Sequence, residues 1–419
     1  MAENALAAWR AHFPSVLEFL EQTSVELTAH ESAQDPLTPA HPLPPDSLAR
    51  AREIVDAFRL RPGQTLAYPP MHGPETPFPD HHPLRHIAAL RTLLTRDAVA
   101  RGNQADALTL ALDNLAFARA SLLAQEGIVP LIHACGIWQS ALDGAHAVAR
   151  LPELSVPRAR LLLDALLAGS DLASRASVRA LEGEYTFVFK VIVERMPETD
   201  DPDLFLSAVS TLGMHPPEPL PPGELGLGLT THRIIDPEAT LAAYRADLAP
   251  YLAALHASSR LPRGLFAATT AATLGGYRRD LGVFYDYSTG EIEPSLANIT
   301  LARAALESTP NPGGKLLALF LTPPWESILT TAARREAQRS ALCGLLAWRI
   351  HGGPTTWEIL VAKKILPAPP ADPFALRDAL RYELAPTPRI WSVFLNATDE
   401  GGVLADANSG QPDDLVWLR

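Results

Sequence analysis

The sequence predicts a mainly α protein: a helical bundle or array over residues 1–324, then a small α+β module over residues 325–419 in which a long helix packs on a short antiparallel sheet. Three observations carry this. Apolar residues recur at helical spacing from Pro83 to Gly169 almost without a break. The connections between those helical runs are short, which favours antiparallel neighbours. Beyond Trp325 the pattern changes. One strong helix stops at Gly352-Gly353-Pro354, and short β-prone runs follow it.

The elements follow in order. Trp9, Phe13, Val16, Leu17 and Leu20 fall at helical spacing, predicting a helix from Ala5 to about Leu27. Asp46-Ser47 offers an N-cap for a short helix through Phe58, and Arg61 to Pro83 reads as irregular chain rich in Pro and His. Asn103 caps one helix of the central run, Gly127 ends it, Pro130 sits in the first turn of the next, and Pro157 opens another. Asp171 to Met196 reads as a long helix, with a strand as the alternative because Tyr185-Thr186-Phe187-Val188-Phe189 is β-prone. Pro pairs make Pro202 to Pro237 loop-rich, a candidate internal break near 200–235. A helix from Asp236 to His256 should kink or split at Pro250. Ser295 to Glu307 and Gly314 to Leu321 read as short helices, and Gly264 to Gly290 is ambiguous. In the last module, Trp325 to His351 is helical, Thr355 to Leu360 is a short capped helix, and Leu380 to Leu384, Arg389 to Leu395 and Asp414 to Leu418 read as strands.

Composition narrows the function classes. Hydrophobic residues are 47% of the chain, enough for a large core and too many for wholesale disorder. The formal charge of −12, with no Lys/Arg-rich run, argues against a nucleic-acid surface and against docking on anionic lipid. No stretch reaches the roughly 18 apolar residues of a membrane helix. Met1 to Arg10 lacks the basic end and apolar run of a signal peptide, which leaves a cytosolic protein or one whose leader lies outside this chain. Cys135 and Cys343 both sit in apolar helical patterns, as inert core cysteines do, and the sequence leaves a disulfide between them open.

The last ninety residues carry an ordered set of motifs. A helix leads into His351-Gly352-Gly353-Pro354, then Trp357-Glu358-Ile359-Leu360, Leu366-Pro367, Pro370 and Asp372-Pro373-Phe374. Leu380-Arg381-Tyr382, Trp391-Ser392-Val393, Asp399-Glu400-Gly401-Gly402 and Asp414-Leu415-Val416-Trp417 complete it. In this order and spacing the stretch resembles a large uncharacterised family of envelope proteins from planctomycete and verrucomicrobial bacteria, and through it the globular head of the major pseudopilin of type II secretion. The resemblance implies that Phe374, Tyr382 and Trp391 seal a helix against a small sheet. It also implies a cell-envelope or periplasmic location and a protein partner. Because pseudopilins bind calcium in this region, it implies calcium at Asp399, Glu400, Asp406 and Asp413, while the residues alone read first as a solvated acidic loop turned by Gly401-Gly402. The chain departs from the family in carrying Leu376 and Arg377 where Gly is usual, Phe394 where the family has Gly, and Asn396 where it has Asp. It also lacks the long hydrophobic N-terminal helix of a pseudopilin.

Other constellations bear on chemistry. His72, His82 and His86 lie in a His-rich stretch with zinc-type spacing, although Pro83 predicts that the helix starts there and leaves His82 at its cap. Glu182 and Glu184 flank Gly183 as a candidate acid–base pair, with ion pairs to Arg175 or Arg179 as the structural alternative. Gly223, Gly226 and Gly228 make no dinucleotide fingerprint, Asn311 to Lys315 lacks phosphate-loop spacing, and no Gly-x-Ser-x-Gly elbow exists. No catalytic or cofactor-binding residue is therefore assigned. The sequence points first to a non-enzymatic envelope protein acting through protein contacts. A metal-dependent hydrolase using the His72 to His86 region and a small-molecule binding protein are the alternatives.

Overall fold

The computed structural model describes residues 3–19, 45–61, 64–68, 71, 80–195, 235–257, 311, 314, 325–375, 378–385, 387–393, 399, 401 and 415–418. The fold is mainly α with a small α+β end, as the sequence predicts. The body comprises β1 (Glu3–Asn4), α1 (Ala5–Trp9), α2 (Pro45–Ala57), β2 (Gln64–Thr65), α3 (His81–Ala100), α4 (Gln104–Leu123), α5 (Ile128–Ala149), α6 (Val156–Leu167), α7 (Leu172–Gly183), α8 (Lys190–Arg195) and α9 (Pro237–Ala257). The end comprises α10 (Trp325–His351), α11 (Trp357–Ala362), β3 (Arg381–Glu383), β4 (Arg389–Ser392) and β5 (Leu415–Leu418).

The centre is a three-helix unit of α3, α4 and α5, each packed on the other two. Its register is fixed by polar contacts inside an apolar core. Asn114 donates to the Ala88 carbonyl at 3.1 Å and to the Thr92 hydroxyl at 3.2 Å, and Thr92 donates to the Ser140 carbonyl at 2.6 Å. One buried amide and one hydroxyl thus tie three helices, and sliding any of them strands a buried donor. The caps read from sequence are present: the Asn103 side chain accepts from Asp106 N, Gly127 precedes α5, and α6 has Pro157 in its first turn.

The first predicted helix is broken. After α1 comes a 3-10 turn, Arg10–His12, and then helical residues 13–19. Pro14 has no N–H to give the Arg10 carbonyl, so the α ladder fails there. The stretch from Arg61 to Pro83 is not wholly irregular. β2 pairs in parallel with β1, and Asn4 bonds both ways with the Ala67 backbone, donating at 2.8 Å and accepting at 3.1 Å. From Leu172 to Arg195 the chain is helical, and the stretch Glu184–Phe189, which holds the β-prone run, is a π-helix rather than a strand. α9 runs as one element through Pro250. The stretches 202–234 and 264–290 and the predicted helix at 295–307 lie outside the described residues, as does the one at 314–321 apart from Gly314.

α10 ends in a full Schellman closure. Gly353 N donates to Trp348 O at 2.9 Å and Gly352 N to Arg349 O at 3.1 Å, with Gly352 at φ 95°. The sheet is antiparallel in the order β3-β4-β5. Its inner face sets Tyr382 opposite Ile390, and Tyr382 meets Trp357 with ring centroids 4.8 Å apart. Trp357 stacks on Trp348, and its indole N–H donates to Leu380 O at 2.8 Å. Phe374 packs with Ala333, Ala337 and Val393 between helix and sheet.

Trp391 corrects the sequence reading. It pairs with Arg381, one residue out of phase with Tyr382, so it lies on the opposite face of the sheet. The inner position belongs to Ile390, which is fully buried. Trp391 is covered instead by Arg389, 5.5 Å above its ring, and its indole N–H donates to Asp399 at 2.9 Å.

α10 also packs along α5, α6 and α7. Gln338 donates to Asp143, Arg339 to the Leu166 carbonyl, and Arg349 to the Leu151 carbonyl. A single hydrophobic core therefore runs from the body into the inner face of the sheet.

Candidate functional site

The sequence-derived candidates separate in space. Of the acidic group, Glu400, Asp406 and Asp413 lie outside the described residues. Asp399 faces donors: one oxygen accepts from Trp391 and from Gly401 N, and the other is 3.5 Å from Arg381. Those three contacts serve the outer face of the sheet.

His72 lies outside the described residues, but His82 and His86 do come together. α3 begins at His81, two residues before Pro83, so Pro83 sits in the first turn, where a missing N–H costs nothing. His82 and His86 then share a helix face, with their Nε2 atoms 3.0 Å apart. Burial, with help from His82 and Arg85, holds the His86 imidazole neutral, its pKa pushed down to about 4. Among the described residues no three His, Cys, Asp or Glu side chains group as a metal site requires.

The carboxylate pair is split. Glu182 is exposed. Glu184 turns under the start of α5 and accepts a hydrogen bond from the Ile128 backbone. Gly183 permits this: a Cβ there would lie 2.4 Å from the Glu126 carbonyl oxygen, so only glycine lets the end of α7 press so close. Glu184 thereby supplies the cap that Gly127 has no side chain to give. Burial pushes its carboxyl up to about 7. Arg179 does not pair with it; it donates to the Leu122 carbonyl at 2.8 Å at the end of α4.

Beside this junction lies a cavity of about 230 Å³ that sequence reasoning missed. Leu66, Tyr68 and Met71 form one wall, His81 stands at the start of α3, Gln125, Glu126 and Pro130 span the α4–α5 turn, and Arg179 reaches in from α7. The N-terminus holds that wall in place. Asn4 pins Ala67, and Arg10 grips Asp80 bidentately, at 2.7 Å in its shorter bond. Burial pushes the Tyr68 hydroxyl up to about 12 and the His81 imidazole down to about 4, so both are neutral at pH 7.

No family model, curated protein or solved structure matches the chain. Cys135 and Cys343 are both buried and free, and burial raises their thiols to about 12 and about 11, so neither offers a thiolate near pH 7. No helix among the described residues is long and apolar enough to cross a membrane.

Proposed function

We propose that the chain is a non-enzymatic protein of the cell envelope, whose helical body presents a C-terminal module resembling a pseudopilin head for contact with a protein partner. What supports this is the convergence of the residues that carry the resemblance. Asp372 accepts hydrogen bonds from Phe374 N at 3.0 Å, from the Ser392 hydroxyl at 2.7 Å and from Val393 N at 3.1 Å. The Asp-Pro-Phe turn and the Trp-Ser-Val strand, twenty residues apart in sequence, are thus one clasp. Trp357 binds Leu380 and stacks on Trp348, joining two more of the motifs. These residues serve packing, which leaves the outer sheet face, with its Arg389–Glu383 and Arg381–Asp378 pairs, as the surface to offer a partner. Photo-crosslinker placed at Arg381 or Glu383 in living cells should give a discrete adduct in the envelope fraction, and the same probe on exposed Leu161 of α6 should not. Recovery of the protein only with cytosolic markers overturns the envelope placement.

A second reading has its own observation. Two imidazole nitrogens facing each other at 3.0 Å across one helical turn are spaced to chelate a divalent cation such as zinc. That would recast the protein as metal-dependent, with a hydrolase as the reaction class. Stoichiometric zinc in the purified protein, lost in His86→Ala, would favour it over the first reading; metal-free protein that takes up no added zinc rules it out.

A further inference from the structure

The cavity beside the α4–α5 turn has a composition that selects a ligand. At about 230 Å³ it holds roughly seven or eight waters at about 30 Å³ each, well below the size of a drug-sized site. Its apolar surface comes from Leu66, Met71, Leu123 and Pro130. Two opposite charges line it: the Arg179 guanidinium and the Glu126 carboxylate, close enough to act on each other. Arg179 spends one nitrogen on the Leu122 carbonyl, and its Nε has no hydrogen-bond partner. Gln125, next to Glu126 in sequence, is 1% exposed and also lines the cavity. Tyr68 and His81 add neutral polar groups to the lining, next to Gln125.

Arg179 is half-buried, and the part of its guanidinium not given to Leu122 offers an incoming carboxylate charge-assisted hydrogen bonds at the cavity wall. The neighbouring Glu126 repels a second negative charge and attracts an ammonium. Carboxylate and ammonium held side by side, with a short apolar remainder, are the groups of a zwitterionic α-amino acid. We propose that this cavity binds a small free α-amino acid with an apolar side chain, its carboxylate on Arg179, its ammonium on Glu126, and its side chain against Leu66, Met71 and Pro130. Larger aromatic amino acids exceed the space.

Isothermal titration of the full chain with L-valine, isovalerate and isobutylamine tests each part. L-valine is expected to bind, with isovalerate and isobutylamine each weaker by about tenfold or more because one charged partner is left unpaired. Arg179→Gln should weaken L-valine by about tenfold or more. Glu126 lies on the exposed rim, so Glu126→Gln leaves the fold intact, and it should weaken L-valine while leaving isovalerate unchanged or tighter. L-tryptophan should not bind. Absence of L-valine binding at about 10 mM, or isovalerate binding as well as L-valine, overturns the proposal, as does L-valine binding that Glu126→Gln leaves unaltered.

Discussion

The C-terminal module and the α4–α5 end of the body handle buried polarity in opposite ways. In the module, the deeply buried carboxylate of Asp372 is met by three donors from two separate motifs. At the other end, Arg179 Nε and His133 Nδ1 are buried without partners, and Glu184 is held at a helix start where burial works against its charge. The module spends Asp372 and Ser392 on holding itself together. The body end keeps polar capacity unspent, which a fold built only for stability would have satisfied or replaced with apolar groups. Motifs conspicuous in a sequence can therefore be the least chemical part of a molecule.

The sharpest way to break this contrast is Asp372→Ala. It removes one acceptor shared by the Ser392 hydroxyl and two backbone amides in a fully buried place. Urea unfolding should show a loss of about 3–5 kcal/mol. Gly183→Ala comes next. Its new Cβ meets backbone at 2.4 Å, which cannot swing aside, so α7 must move away from the α4–α5 turn. A loss of about 2 kcal/mol is expected, with the Glu184–Ile128 contact weakened. Gly344→Ala is milder. Its Cβ would lie 2.8 Å from the tips of Ile390 and Trp357, side-chain atoms that can shift, and about 1 kcal/mol is expected.

How far the sequence shows all this depends on whether the signal is local. Asn103, Gly127, Pro130, Pro157 and Gly352 each mark a helix end by its own chemistry, and each acts where expected. The β-prone run at Tyr185 to Phe189 misleads because tertiary packing overrides propensity. Phe189 stacks on Tyr244 with centroids 3.7 Å apart, and the run stays helical by widening to a π turn. Trp391 misleads because strand phase, not residue type, decides which face a side chain takes. The β1–β2 pair is two residues long on each side and joins Glu3 to Gln64, so no periodicity announces it. The cavity is illegible for the same reason. Its walls run from Leu66 to Arg179 and meet only once α3, α4 and α7 have packed.

The smallest expected effect is the pH dependence of Glu184. Its folded pKa, about 7, lies above the usual carboxyl value of 4.5, so the native state holds the extra proton between those limits. Wild-type stability from this group is full below about pH 4.5 and falls as pH rises towards 7. Glu184→Gln keeps an acceptor for Ile128 and carries no charge. It should match wild type near pH 4.5 and exceed it by about 1 kcal/mol at pH 8, the half-exposed side chain being partly screened. His81 and His86, both lowered to about 4, slope the other way between 6.5 and 4. The difference between variant and wild type cancels them.

The contrast between the two ends reduces to one experiment: urea unfolding of Asp372→Ala and Arg179→Met side by side at pH 7. The first is expected to lose about 3–5 kcal/mol and the second to stay within about 1 kcal/mol of wild type, because Arg179→Met gives up the bond to the Leu122 carbonyl and the attraction to Glu126 but also removes a buried N–H without a partner. A large loss in Arg179→Met with little change in Asp372→Ala would mean that the body end is the structural keystone and the module the spare surface, and would contradict that contrast.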